Sequence, residues 1–253
     1  MEIALQRIQE RVGGRLDLSH LELTELPPLP EGITELNCSF NRLTFLPALP
    51  STLEQLVCSS NQLISLPELP LLRLLYCNTN QLTSLPPLPS SLRTLRCFTN
   101  RLTSLPTLPS TMRYLNCCRN PLTTLPTLPL ELRELSCVSS TLTFLPSLPA
   151  NLRILNCLGN PLETLPKLPS TLQDLMCKLQ MYDNAFVFTR MDSFTLTRLN
   201  DMIRKETAVW EGLSRDRCIK RCAQYKEEIM MTVWHPTRVA LLIEMGIDLE
   251  DVM

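Results

Sequence analysis

A unit of twenty residues repeats from about Arg15 to Lys178, and its core reads L-x-x-L-x-C-x-x-N-x-L-T-x-L-P-x-L-P. Cysteines mark the period: Cys38, Cys58, Cys77, Cys97, Cys117, Cys137, Cys157 and Cys177 are twenty residues apart, except for one interval of nineteen. Three residues after each stands an asparagine (Asn41, Asn61, Asn80, Asn100, Asn120, Asn160), with Ser140 and Gln180 as the exceptions. An earlier unit, Leu16-Asp17-Leu18-Ser19, has leucine in the cysteine slot and brings the total to about nine coils. A fixed period of this length predicts a solenoid, in which each coil buries its apolar edge only against its neighbours. Such an architecture supplies an extended binding surface far more often than an active centre.

Within a coil, Glu35-Leu36-Asn37-Cys38-Ser39 alternates, so Leu36 and Cys38 point inward and their neighbours outward. Short strands of this kind stack into a parallel sheet on the concave side. The asparagine then bonds backbone groups that the following turn leaves unpaired. In segments such as Leu46-Pro47-Ala48-Leu49-Pro50, proline fixes φ and pushes the preceding residue toward extended geometry. The convex side is therefore expected to be an extended, polyproline-like return, since twenty residues per coil leave no room for a helix. At roughly 4.8 Å per strand, nine coils make a shallow arc about 40 Å long.

Proline also marks the domain limits. Twenty of the 21 prolines precede residue 170, and the other is Pro236. Residues 1–14 read as a capping helix, about Ile3 to Val12, whose Ile3, Leu5, Ile8 and Val12 cover the first coil and which Gly13-Gly14 ends. Residues 15–178 are the repeats, and 179–253 read as a helical module. Its helices are expected around Phe194, Leu199, Met202 and Ile203, from Ser214 to Val233, and from Pro236 to Gly246. The module either caps the last coil or docks a second partner.

The L-T-x-L-P-x-L-P rhythm resembles the short repeats of bacterial type III secreted leucine-rich-repeat effectors, over roughly two-thirds of the chain. Valine usually stands in that family where cysteine stands here. The tail, Trp234-His235-Pro236-Thr237-Arg238 through Gly246-Ile247-Asp248-Leu249-Glu250-Asp251, is similar to C-terminal tails on repeat proteins of giant DNA viruses of the Marseillevirus kind. Together these resemblances imply a viral leucine-rich-repeat protein: an α/β solenoid that binds a host or viral protein.

Three outward columns make the concave face. One reads Ser39, Ser59, Asn78, Phe98, Cys118, Val138, Leu158, Lys178; its neighbour reads Asn37, Val57, Tyr76, Arg96, Asn116, Ser136, Asn156, Met176. A third includes Leu74, Tyr114, Glu134 and Ile154. Outward positions are polar unless used, so the apolar cluster in coils four to eight marks an interface, unless the C-terminal helices fold over it or the slots merely tolerate hydrophobes. Partner binding is expected at Leu74, Tyr76, Arg96, Phe98, Tyr114, Asn116, Cys118, Val138, Ile154 and Leu158, where tyrosine, arginine and phenylalanine are residue types enriched at interfaces. Arg73, Arg93, Arg113, Arg133 and Arg153 occupy one slot in five consecutive coils. They form either a solvated edge whose stems lie over leucines or a ladder for an acidic partner.

Chemistry for catalysis is thin. The two histidines, His20 and His235, are far apart, and six glycines contain no phosphate-binding loop. Cys218 and Cys222 stand at i, i+4 on an expected helix, but without a second C-x-x-C pair they read as core rather than as zinc ligands with His235. Some effectors with these repeats carry a ubiquitin-ligase domain with a C-x-D nucleophile; none of the eleven cysteines here is followed two residues later by aspartate. The expected class is thus a non-enzymatic protein-binding module without metal or cofactor. A ligase adaptor acting through the helical tail and a structural virion component are the alternatives. A net charge of −1 gives neither a nucleic-acid nor a membrane footprint. Stacked inward cysteines in place of small hydrophobes imply reduced thiols in the cytosol.

Overall fold

Every inward leucine at the centre of a repeat lies on a three- or four-residue strand. The computed structural model describes residues 1–11, 13–178, 186–188, 196–197 and 199–201. Its strands are β1 (Arg15–Asp17), β2 (Glu35–Asn37), β3 (Gln55–Val57), β4 (Leu74–Tyr76), β5 (Thr94–Arg96), β6 (Tyr114–Asn116), β7 (Glu134–Ser136), β8 (Ile154–Asn156), β9 (Asp174–Cys177) and β10 (Phe186–Phe188). They form one sheet in chain order. The first nine are parallel and in register, so Leu16, Leu36, Leu56, Leu75, Leu95, Leu115, Leu135, Leu155 and Leu175 stack in one column. None of these nine is more than 2% exposed. Between β1 and β9 the described chain returns without a helix, as the proline-fixed backbone dictates.

The asparagine column holds the coils together. Asn120 donates from Nδ2 to the carbonyls of Cys97 (3.0 Å), Cys117 (3.0 Å) and Cys118 (3.1 Å). Its Oδ1 accepts from the N–H of Leu102 at 3.0 Å. One side chain therefore satisfies backbone groups of two adjacent coils, and Asn41, Asn61, Asn80, Asn100 and Asn160 bond similarly. The residue before each turn asparagine is left-handed: φ is 55° at Phe40, 56° at Thr79, 55° at Thr99 and 52° at Arg119. A positive φ is unfavourable for β-branched threonine. The strain is held by the neighbouring asparagine bonds, and in the eighth coil Gly159 (φ 67°) takes the position instead.

Helix α1 (Glu2–Glu10) caps the first coil, though not with the expected face. Ile3 and Leu5 are 57% and 46% exposed, whereas Ala4 is fully buried and Ile8 packs against the core. Positions i and i+4 share a helix face and i, i+2 do not, so the Ala4–Ile8 stripe wins. Val12 lies outside the described residues. The helix also replaces a missing coil: Arg7 donates from Nη1 to the carbonyls of Asp17 (3.0 Å) and Ser19 (3.4 Å). One coil on, the corresponding Asn37 and Ser39 carbonyls accept from Leu18 and His20.

At the other end, β10 runs antiparallel to β9, where a helical module was expected. Phe-Val-Phe suits an extended strand, and pairing there satisfies one open edge of β9. Helical residues follow, with Leu196 and Leu199 buried in the same core as the repeats. Asn200 bonds both backbone groups of Leu168, donating at 3.0 Å and accepting at 2.8 Å. The expected helices from Ser214 to Val233 and Pro236 to Gly246, together with Gln180, Phe194, Met202, Ile203, Cys218, Cys222 and His235, lie outside the described residues.

Candidate interaction surface

Because the middle residue of each strand points inward, the first and third residues face the concave side. Strands β4 to β9 enclose there a shallow concavity of about 480 Å³. Tyr76, Arg96, Tyr114, Asn116 and Ile154 line it, five of the ten residues expected to bind a partner. The guanidinium of Arg96 lies 4.6 Å from the centre of the Tyr76 ring, a cation–π contact that favours this arrangement of the two side chains. Tyr114 is 38% exposed at the middle of the sheet. The surface that results is mixed rather than apolar, since Thr94, Glu134, Ser136 and Asn156 add polar groups and Met176 a flexible apolar one. Glu134, Ser136, Asn156 and Met176 stand in the columns already read from the sequence; that they line a concavity is not legible there, because small polar side chains look like ordinary solvated positions.

The expected column that begins at Ser39 behaves differently. Its first members, Ser39 and Ser59, are buried, at 3% and 7% exposed, instead of facing water. Each hydroxyl reaches the next coil, Ser39 donating to the Val57 carbonyl at 3.3 Å and Ser59 to Asn78 Oδ1 at 2.7 Å. Farther along, Phe98, Cys118, Val138 and Leu158 are half-buried and none lines the concavity. Cys118 Sγ is 3.1 Å from Ser136 Oγ and accepts from the Val138 N–H at 3.2 Å. This column lies one or two residues beyond the strand ends, and its apolar side chains form a half-buried rim beside the concavity. Leu74, on the first strand position of β4, is half-buried outside the concavity.

Arg73, Arg93, Arg113, Arg133 and Arg153 stand one residue before β4 to β8, along the edge of the same face. Arg73 pairs with Glu54 at 3.3 Å.

Behind the sheet, burial pushes the thiols of Cys38 and Cys77 up to about 12. The same burial, together with neighbouring thiols, also raises Cys58, Cys97, Cys117 and Cys137 well above their ordinary value. For Cys157 the hydrogen bond to Cys177 acts first and burial second. These sulfurs are protonated packing groups at neutral pH, not nucleophiles. At Asp17, burial alone would raise the carboxyl, but the hydroxyl and N–H of Ser19, with Arg7 and Arg15, outweigh it and hold it below its ordinary range. Among the described residues no His, Cys, Asp and Glu group of three or more is placed to hold a metal ion, and no helix is long and apolar enough to cross a membrane.

No protein-family model and no curated protein matches the chain. Solved structures do. The leucine-rich effector protein YopM from Yersinia pestis is similar at 31% identity and a TM-score of 0.64. That match covers 70% of this chain and 60% of YopM, so the chain spans well short of the whole YopM length. The leucine-rich-repeat domain of a Shigella effector is similar at 38% identity and a TM-score of 0.58, over 64% of this chain and 77% of that domain.

Proposed function

The chain belongs to the leucine-rich-repeat proteins, and from that premise we propose that it binds a protein partner on the concave face of its arc, without catalysis of its own. The observation that carries this reading is the concavity over β4 to β9, where the Tyr76–Arg96 pair and exposed Tyr114 stand on a rigid parallel sheet. Large aromatic side chains and arginine held on regular elements bind with little loss of conformational entropy. Asn116, Glu134 and Asn156 supply the polar bonds that orient a partner. Phe98, Cys118, Val138 and Leu158 form the rim rather than the centre. The similarity of the tail to repeat proteins of giant viruses supports a viral chain acting on a host protein in the cytosol.

The test is an affinity capture from host-cell lysate with the wild type beside Tyr114→Asp, followed by hydrogen exchange on the complex with the purified captured protein. Protection confined to β4–β9, and lost in the variant, supports the reading. Protection confined to the residues after β9 overturns it and favours the ligase-adaptor alternative. Capture of virion proteins alone by both forms moves the function to virion structure.

A further inference from the structure

The arginine strip carries information about its partner that the concavity does not. The slot reads Thr34, Glu54, Arg73, Arg93, Arg113, Arg133, Arg153 and Gln173 along the sheet, so the cations form one uninterrupted run. Their backbones are in register: Arg93, Arg113, Arg133 and Arg153 each donate an N–H to the carbonyl of the preceding arginine, at 2.8–2.9 Å. Arg73 is neutralised by Glu54. Among the described residues no ion pair joins the other four, although Glu131 and Glu134 flank Arg133 in sequence. Arg93 and Arg153 are exposed and Arg113 and Arg133 half-buried, and none lines the concavity. Four unpaired guanidiniums in line repel one another and attract an anion whose charges share their spacing.

That spacing selects the anion's form. Neighbouring parallel strands lie about 4.8 Å apart. An α-helix advances about 5.4 Å per turn, so acidic residues one turn apart drift from the arginines by only about 1.8 Å over three intervals. Same-face residues of an extended peptide are about 6.8 Å apart, and the drift there reaches about 6 Å. Arginine side chains absorb the first mismatch and not the second. We propose that Arg93, Arg113, Arg133 and Arg153 dock an α-helix of a protein partner that presents one acidic side chain per turn and lies across the coils. The proposal stands apart from the concave-face reading, because the strip and the concavity share no residue.

Fluorescence anisotropy with synthetic peptides tests it. The probes are a helical peptide with glutamate at i, i+4, i+7 and i+11, an equally helical peptide of the same composition with its glutamates dispersed around the helix, and a single-stranded oligonucleotide. The first is expected to bind about tenfold tighter than either other probe, with affinity falling as salt screens the pairs. Arg93→Glu with Arg133→Glu should lose the glutamate peptide and gain its lysine counterpart, which also proves that the variant is folded. If it melts early, Arg93→Gln with Arg133→Gln replaces it and should lose at least about tenfold in affinity for the glutamate peptide. Equal binding of all three anionic probes would reduce the strip to a general polyanion site and overturn the proposal. Absence of binding, or binding unaffected by the substitutions, would overturn it equally.

Discussion

The two sides of each strand obey different rules. Facing inward, the central leucine is the same in all nine coils and the cysteine in eight, and each of these side chains is 2% exposed or less. Facing outward, the first strand position changes from Glu35 to Gln55, Leu74, Thr94, Tyr114, Glu134, Ile154 and Asp174 without leaving register. A solenoid demands uniformity only where one coil meets the next. Its sheet is thus a constant frame that holds a variable row of side chains at fixed spacing, and substitutions on the two sides should separate stability from binding.

The inward cysteines give the largest effect. Folded Cys38 and Cys77 ionise near 12 against an ordinary value of 9.0, and five further column thiols are raised as well. The unfolded chain loses these protons first. Stability is therefore intact below pH 9 and falls as pH rises from 9 toward 12, by about 1.4 kcal/mol at pH 10 for each of Cys38 and Cys77. The other five thiols add to the loss in the same direction, against a whole stability of about 5–15 kcal/mol for an ordinary domain. Denaturation followed by circular dichroism should show cooperative unfolding between about pH 9 and 11. Cys77→Val with Cys97→Val should move the midpoint upward; an unmoved midpoint would clear the thiols.

Next in size is Leu95→Ala at the centre of the arc. Leu95 is fully buried, and the cavity should cost about 2–5 kcal/mol in urea denaturation. The defect weakens the interfaces with both neighbouring coils, so limited proteolysis should cut on either side of β5. Asn120→Ala should cost about 2–3 kcal/mol, because it strands backbone groups of two coils.

Period, register and inward columns are legible in the sequence because a buried slot between identical neighbours accepts few residue types. Legibility fails where the neighbour changes. Arg7 caps the first coil through two carbonyls, a task that the apolar pattern of α1 does not announce. Ser39 and Ser59 are buried by the next coil, a consequence of geometry beyond the strand ends rather than of residue type. For the concave face, sequence reading finds Tyr76, Arg96 and Tyr114 by size and type. It gives no weight to Glu134, Ser136 or Asn156, which become part of the surface only once β7 and β8 place them beside the tyrosines.

In the described cysteine-bearing coils one position of the asparagine column breaks the uniformity and offers a gain. Ser140 replaces asparagine in the seventh coil, and its buried Oγ has no hydrogen-bond partner. The Leu122 N–H, which the pattern would send to an asparagine Oδ1, turns instead to the Asn120 carbonyl at 2.8 Å. Ser140→Asn should restore the bonds of the column and raise stability by about 1–2 kcal/mol. A lower melting temperature would mean that the bend of Cys137 to Thr141 has no room for the carboxamide.

The smallest expected change in stability belongs to the outward side. Tyr114 stands on the same strand as inward Leu115, which is 2% exposed, yet Tyr114 itself is 38% exposed. Tyr114→Asp removes an aromatic from the concavity without opening the core, so stability should change by no more than about 0.5 kcal/mol. Binding of the captured partner, read by calorimetry, should fall by at least about tenfold, as for the loss of a central aromatic anchor. Depressed stability with unchanged affinity would place Tyr114 in the frame and erase the division of labour between the two sides of the sheet. Unchanged stability with lost affinity would locate binding on residues that the solenoid itself leaves free to vary.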